Sequence, residues 1–396
     1  MRKFHIGARR LAAVVIGLVF LVSGLLKLID PVGTTLKVAE YFSFFGLPLG
    51  TGAASAFGVI LILTESILGA ALVAGVFRRG AGKATILIIS FFLIITAILW
   101  WKNPDMDCGC FGEAVHLSHS QSFWKNVVLL ALALFAFIPL RQLGDVSPRK
   151  MVSFALVSAS LVLALFYSYA HLPFVDFTEF KPGARLYASL DSEYMEDDDY
   201  VATFIYEKNG KKGSFTLDRL PDSTWTFVGV DTLMRSAQTR PADTPVLAIR
   251  DSEGNEMDAA AASGNVIVFT VHDPDKAPWQ RIIRSHDAAL GAGAKPLVLA
   301  ASTPERMAGI PEADGLPVFY SDYKTLVTMC RANGGAVCIE NGEIISKWSP
   351  KDFPNEQTLR ETLGKDPLEA MSSFKVGRRV KAQGFALYIL ALLLLV

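Results

Sequence analysis

Long runs of apolar residues fill much of the first 173 positions of this chain, and one more such run lies at its C-terminus. A helix needs roughly 17–25 mostly apolar residues to cross the hydrocarbon core of a membrane. Five runs meet this length, so we expect five membrane-spanning helices. Their approximate bounds are 11–29, 53–77, 84–101, 123–140 and 151–169.

The last apolar run, 384–396, is shorter than a membrane-spanning helix by about a third. It follows a basic stretch that begins at Lys375. Two interpretations stay open, a sixth helix cut off by the chain end or an anchor lying in the membrane interface. The pattern therefore leaves five or six membrane helices.

Basic residues in the short connections predict the orientation of the helices. They cluster before the first run, between the second and third, and between the fourth and fifth, and these three connections share one side. The positive-inside rule makes that side cytoplasmic. We expect a bacterial inner-membrane protein with a cytoplasmic N-terminus, and with the loop before the fourth run and residues 171–380 in the periplasm. The basic residues are Arg2, Lys3, Arg9, Arg10, Arg78, Arg79, Lys83, Arg141, Arg149 and Lys150.

The composition agrees with a membrane protein, because 51% of the residues are hydrophobic and only 19% are charged. Membrane lipid is therefore an expected partner. The formal net charge is zero, which gives no indication of nucleic-acid binding.

The polar region predicts two further units. Alternating residues on both sides of Asn209-Gly210 predict a β-hairpin in a small β-rich module, after an acidic loop at 191–199. Beyond 244, the order of elements is βαβαββ, with the first strand at 266–271 and helices beginning at Trp279 and Tyr323. A short strand is also expected directly before Asp251.

Cys108-Gly109-Cys110 in the loop between the third and fourth runs is the main candidate for chemistry. Disulfides are stable outside the cytoplasm, and Gly109 allows the bend that brings the two sulfurs together. So small a ring is expected to be strained, and strained disulfides exchange readily. We therefore predict a redox pair, with a structural cross-link or two unreactive thiols as the alternative.

Other residues support alternative or additional sites. With His116 and His119, the two cysteines form a C-x-C-x5-H-x2-H pattern, which would suit zinc or copper. Cys330 and Cys338 have apolar neighbours, so buried free thiols are expected there.

Glu65 lies midway along the second run, where a carboxylate marks either a functional pathway or a buried ion pair. Lys27 and Ser23 are its candidate structural partners. Lys27 lies near a helix end, where its side chain can extend to the membrane surface.

Several motifs resemble those of DoxX-like membrane proteins and of their relative, the methylamine utilisation protein MauE. They are Arg10, the run 17–31 (GLVFLVSGLLKLIDP), Glu65 and the loop 107–113 (DCGCFGE). The resemblance implies a four-helix membrane domain, similar in outline to disulfide-bond formation protein B and vitamin K epoxide reductase. It also implies electron transfer or disulfide formation outside the cytoplasm. A quinone is then a candidate electron acceptor, with Glu65 near its ring.

The βαβαββ region resembles a thioredoxin-like domain but lacks two of its features. No Cys-x-x-Cys occurs in the turn after the first strand, at 273–279, and 333–336 (NGGA) has no proline. We interpret this region as a docking domain without an active site. The predicted domains are 1–145 (four-helix DoxX/MauE-like), 146–172 (fifth helix), 173–243 (β-rich), 244–372 (thioredoxin-like) and 373–396 (C-terminal apolar segment).

Three hypotheses for function follow. The first is a membrane thiol–disulfide electron-transfer protein in which Cys108 and Cys110 are the catalytic redox pair, with Glu65 assisting. Its substrate would be a thiol protein of the cell envelope, in disulfide formation or methylamine-utilisation-type maturation. The second is a non-enzymatic membrane scaffold that has a redox-inactive docking domain. The third is a metal-binding transporter or sensor.

Overall fold

The protein is described from a computed structural model. The described residues are 2–138, 148–186, 200–208, 211–216, 225–234, 246–262, 264–366 and 368–372, with 380, 383–384 and 387–388. The acidic loop predicted at 191–199 and most of the segment 373–396 lie outside them. Within that segment, the Tyr388 hydroxyl lies 2.8 Å from the hydroxyl of Ser160.

Six helices form the N-terminal part of the chain. Five of the described helices, α1 and α3–α6, are long and apolar enough to cross a membrane, which confirms the five predicted runs. The short helix α2 was not predicted. The bounds are α1 Arg2–Ile29, α2 Pro31–Phe44, α3 Thr51–Ala74, α4 Arg78–Lys102, α5 His119–Phe137 and α6 Pro148–Ala170.

The helix α2 begins directly after α1 because its first residues cap it well. An Asp30 carboxylate oxygen accepts a hydrogen bond from the Gly33 amide (2.9 Å), and Pro31 occupies the first helical position. Aspartate is a favoured N-cap, and proline fits the first turn because it lacks the amide hydrogen. A sequence signal for this helix was therefore present, although its 14 residues are too few to span a membrane.

Small residues let α1 and α3 pack closely. A Cβ atom at Gly17 would lie 2.8 Å from the Leu72 Cβ, and one at Gly69 would lie 2.5 Å from the Leu21 backbone nitrogen. Close backbone approach at small residues drives helix association inside membranes. This contact fixes the faces of α1 and α3 that carry the polar residues described below.

The C-terminal part contains two sheets. Strands β1 Tyr200–Lys208, β2 Lys211–Thr216 and β3 Thr226–Met234 form an antiparallel sheet in the order β2-β1-β3. The second sheet has the order β6-β5-β4-β7-β8. Its strands are β4 Asn265–Val271, β5 Lys295–Ala300, β6 Val318–Tyr320, β7 Gly335–Glu340 and β8 Glu343–Trp348.

Helices cover the five-stranded sheet. They are α7 Ala259–Ala262, α8 Trp279–Gly291, α9 Pro304–Met307, α10 Tyr323–Met329 and α11 Glu356–Leu363. The central strand β4 pairs in parallel with β5 and antiparallel with β7. The residues from 246 to 372 are called the C-terminal domain below.

The predicted order of elements in this domain is present, with the additional helices α7, α9 and α11 and with two differences among the strands. Strand β6, which pairs with β5, was not predicted because it is only three residues long. The strand expected before Asp251 is wrong, since Arg250 makes only isolated bridges, to Glu256 and Tyr320. The findings establish a mixed domain of sheet and helices, and its thioredoxin-like identity stays a prediction.

Candidate functional site

The two cysteines of the Cys-Gly-Cys loop are in contact. Gly109 adopts a positive φ of 62°, which bends the backbone, and the sulfurs of Cys108 and Cys110 lie 3.1 Å apart. Both thiols are free in this structure. A disulfide bond is about 2.05 Å long, so a small movement would join them. The loop therefore holds a dithiol in a conformation close to that of a disulfide.

Helix α2 covers the outer side of this loop. The Tyr41 hydroxyl donates a hydrogen bond to the Cys108 carbonyl oxygen (2.6 Å), and the Lys37 side chain lies against Gly109. Burial raises the pKa of Tyr41, which keeps its hydroxyl a hydrogen-bond donor. Cys108 itself is buried, with 5% of its surface exposed. This helix therefore restricts access to the first sulfur.

Buried polar side chains of α1 and α3 hold the other end of the pair. The Lys27 ammonium donates to a carboxylate oxygen of Glu65 (2.7 Å) and to the Cys110 carbonyl (2.6 Å). The Ser23 hydroxyl lies within hydrogen-bonding distance of both acceptors, at 2.8 and 2.5 Å. Lys27 thus turns inward instead of extending to the membrane surface. Glu65 therefore forms the predicted buried ion pair, and through Lys27 this pair also contacts the cysteine loop, as a functional role would require.

The two sulfurs have opposite electrostatic environments. A hydrogen bond from Cys108, together with the positive charges of Lys125 and Lys27, lowers the pKa of Cys110 to about 5 against the effect of burial. The same hydrogen bond and burial raise the pKa of Cys108. These environments favour the thiolate on Cys110 over the thiolate on Cys108.

Lys125 is a further candidate site residue, which the sequence did not single out. It lies in the second turn of α5, and its ammonium is 4.9 Å from the centre of the Phe111 ring, a cation–π contact. The sequence contained an indication of this, because an ionisable residue within a membrane span is a candidate functional residue. Only the folded chain shows that its charge acts on Cys110.

A cavity of about 570 Å³ lies between the helices and reaches the cysteine pair. Its walls are mostly apolar and include Phe20, Phe57 and Phe92. The polar lining includes both cysteines and the residues Lys27, Glu65, Lys125 and Asn126. Sites for small organic ligands have this size and this mixture of apolar walls and a few polar groups. The predicted site residues Cys108, Cys110 and Glu65 all border this one cavity.

The two histidines of the metal hypothesis are engaged elsewhere. His116 Nδ1 lies 2.8 Å from an Asp107 carboxylate oxygen, and His119 Nε2 lies 3.0 Å from the Pro104 carbonyl oxygen. Within the described part of the chain, no three histidine, cysteine or acidic side chains are grouped as a metal site would require. This geometry gives the zinc or copper hypothesis no support.

The C-terminal domain has no thiol where thioredoxin-like domains carry theirs. After β4, the Asn333 amide oxygen accepts hydrogen bonds from the backbone amides of His272 (3.0 Å) and Asp273 (3.2 Å). Cys330 and Cys338 are both about 1% exposed and belong to different core clusters. As predicted, they are buried free thiols.

Comparisons with known proteins agree with part of this description. Residues 7–139 match the profile of the family "Methylamine utilisation protein MauE", and residues 200–235 match a "Domain of unknown function (DUF8463)". No curated protein and no solved structure gives a significant match. The DoxX-like resemblance stays a prediction. The first match covers about a third of the chain and contains the cavity and the cysteine pair. Residues 7–139 are therefore similar to the MauE family, and they form helices of membrane-spanning length and composition.

Proposed function

We propose that this protein is a membrane-embedded thiol–disulfide electron-transfer protein whose redox pair is Cys108 and Cys110. The observation that carries the proposal is the contact between the two sulfurs, 3.1 Å apart, at the polar end of an apolar cavity. The MauE match connects the domain with methylamine utilisation, so its substrate would be an envelope protein that needs its disulfides formed. The basic connections favour a periplasmic position for the cysteine loop.

The unequal environments of the sulfurs assign their roles. In the oxidised pair, a thiolate of the substrate protein attacks Cys108, and the bond between Cys108 and Cys110 breaks. Cys110 leaves as a thiolate, because the thiol with the lower pKa is the better leaving group. A second substrate thiolate then attacks the substrate sulfur of this mixed disulfide and releases Cys108. The substrate dithiol is oxidised, and the two electrons stay on the cysteine pair.

A lipid-soluble two-electron acceptor is needed to reoxidise the pair, and the cavity fits one. Its apolar walls suit a ring with a hydrocarbon tail, and its polar end offers the donors Lys27 and Lys125. A quinone, when bound, would accept two electrons and two protons. Lys125 holds the Cys110 thiolate toward the cavity, while Lys27 orients the Cys110 carbonyl and balances the charge of Glu65.

The C-terminal domain would serve as a docking domain for the substrate protein. The order β5-β4-β7-β8, with one parallel and two antiparallel pairings, supports a thioredoxin-like fold. Since the described turn after β4 carries no cysteine, this domain would contribute binding and not thiol chemistry.

A scaffold without enzymatic activity is the second candidate. The observation that favours it is the burial of Cys108 under α2, which protects a thiol or a structural disulfide from exchange. The two functions differ in whether the pair changes its redox state while the protein stays folded.

Thiol trapping in intact cells tests the proposal. We expect a maleimide of known mass to label Cys108 and Cys110 only after reduction, and Cys110→Ser to accumulate a mixed disulfide on Cys108. In Cys108→Ser the mixed disulfide should be scarce, because the proposed mechanism joins the substrate to Cys108 and not to Cys110. A pair locked in one state, with no mixed disulfide in either variant, would leave the scaffold as the function.

A short-chain quinone supplies the matched test of the acceptor. Adding it to the purified, reduced protein should reoxidise the pair in the wild type. Unchanged thiols after this addition, in a protein that still exchanges with glutathione, would exclude the quinone and keep the redox function.

A further inference from the structure

One buried ion pair joins the C-terminal domain to the membrane domain. The Arg331 guanidinium donates two hydrogen bonds, from Nε (3.0 Å) and Nη2 (2.8 Å), to one carboxylate oxygen of Asp30. The side chains are only 5% and 9% exposed. These residues are 301 positions apart in sequence, so only the docked arrangement of the two domains brings them together.

All the polar groups of this contact are used. The other Asp30 oxygen accepts the Gly33 amide that begins α2, and Arg331 Nη1 donates to the Val327 carbonyl oxygen of α10 (3.1 Å). Burial opposes the charge of Arg331, but Asp30 and Glu113 offset this effect and the pKa of Arg331 is raised. Removing one partner of such a buried ion pair is strongly destabilising, because the remaining charge stays buried without a counter-charge.

Two sets of contacts connect the ion pair of Arg331 and Asp30 to the cysteine loop. Asp30 caps α2, and the same helix carries Tyr41, which holds the Cys108 carbonyl. Arg331 Nη2 also lies 3.9 Å from a carboxylate oxygen of Glu113, three residues after Cys110. A second ion pair, Lys324 with Glu40 at 2.8 Å, holds the middle of α2 to the C-terminal domain.

We propose that Arg331 is a positioning residue for the Cys108–Cys110 pair. By holding Asp30, and with it α2, the C-terminal domain keeps Tyr41 and Lys37 over the cysteine loop. The redox pair is then complete and covered only while the two domains are docked. The redox consequence rests on the proposed function, whereas the covering of the loop does not.

The variant that tests the inference is Arg331→Met in the full-length protein, in membranes. Without the guanidinium, α2 is expected to separate from the loop more often. The rate at which a bulky maleimide labels the reduced pair should then rise by about tenfold or more. The equilibrium between the pair and a glutathione redox buffer should shift in the same variant, and Arg331→Lys should restore part of both effects. A general loss of stability would not give this partial rescue.

Lys347→Met is the matched control. Lys347 of the C-terminal domain forms a similarly buried ion pair, at 2.6 Å, with Asp176 of the segment that follows α6. Removing it leaves Asp176 as a buried charge without its partner, a comparable cost in stability, while both hydrogen bonds between Arg331 and Asp30 stay in place. Its labelling rate and glutathione equilibrium should therefore stay close to those of the wild type.

Asp30→Asn changes the same ion pair at its partner in the membrane domain. Asparagine still caps α2, since it is as good an N-cap as aspartate, but it removes the charge that holds Arg331. This variant should reproduce the faster labelling even if Arg331→Met folds poorly. Wild-type labelling rates in a folded Asp30→Asn protein would overturn the inference. A wild-type pair that never exchanges with glutathione would instead refute the proposed function.

Discussion

The four cysteines of this protein lie in two contrasting environments. Cys108 and Cys110 touch each other beside two lysines, and the pKa of Cys110 is lowered to about 5. Cys338 lies in an apolar core, where burial raises its pKa to about 12, and burial also raises the pKa of Cys330. Cys108, Cys330 and Cys338 are buried and Cys110 is partly buried. The pKa of Cys110 is low because a hydrogen bond from Cys108, and then the charges of Lys125 and Lys27, lower it.

This contrast shows that burial alone does not decide the reactivity of a thiol. Desolvation opposes the thiolate at all four positions, and only near Cys110 do hydrogen bonding and positive charge exceed it. Lys27 and Lys125 lie near Cys110 because both line the polar end of the cavity.

The largest effect is expected from Glu65→Gln. This change leaves Lys27 charged and buried without its anion, and the cost of such a break is about 3 kcal/mol or more. Thermal unfolding in detergent should show the loss of stability. The variant Glu65→Asp keeps the charge on a shorter side chain and should lose less. Equal stability of the wild type and the glutamine variant would mean that this ion pair does not hold the loop.

Lys125→Met should make Cys110 resemble the core thiols. The pKa of Cys110 is expected to rise, so the rate of its reaction with iodoacetamide at pH 5, near its present pKa, should fall about fivefold. The rate measured against pH gives the new pKa directly, and Lys125→Arg, which keeps the charge, is the control. A methionine variant with an unchanged pH profile would show that Lys125 does not stabilise the thiolate.

The dependence of stability on pH has a different sign in the two environments. The ordinary pKa is 9.0, so between pH 9 and about 5 the unfolded Cys110 binds a proton that the folded residue does not. Stability of the reduced protein should therefore decrease as the pH falls through this range.

For Cys338 the direction is opposite. The folded residue keeps its proton up to about pH 12, so stability should decrease as the pH rises above 9. Unfolding curves of the reduced protein, with Cys110→Ser and Cys338→Ala as separate controls, measure both slopes. Cys110→Ser should remove the slope below pH 9. Cys338→Ala should reduce the slope above pH 9, to which Cys108 and Cys330 also contribute because their pKa values are raised. A single variant that removed both would contradict the assignment.

The membrane part of the fold was predictable because its signal is simple. Five apolar runs gave five helices of nearly the expected bounds, since helix length and hydrophobic thickness are directly related. Helix α2 was missed because 14 residues are too few for that signal. The strand before Asp251 was predicted wrongly, since a short alternating segment does not show whether a pairing partner exists.

The candidate site was predictable only in its residue types. The spacing of Cys108 and Cys110 and the depth of Glu65 were visible in the sequence. The part played by Lys125 was not, because the effect of a charge depends on distances across helices. The docking contact of Arg331 with Asp30 was equally invisible, since no local pattern connects residues so far apart.

The sequence by itself determined the membrane-spanning runs, the bent Cys-Gly-Cys loop and the separation of the chain into an apolar and a polar part. These properties depend on local composition and on the conformational freedom of single residues. The tertiary structure decided which cysteine is the thiolate, where the cavity lies and how the C-terminal domain contacts the loop. Electrostatic and packing interactions act through space, so the same residues could have met in many arrangements until the chain folded.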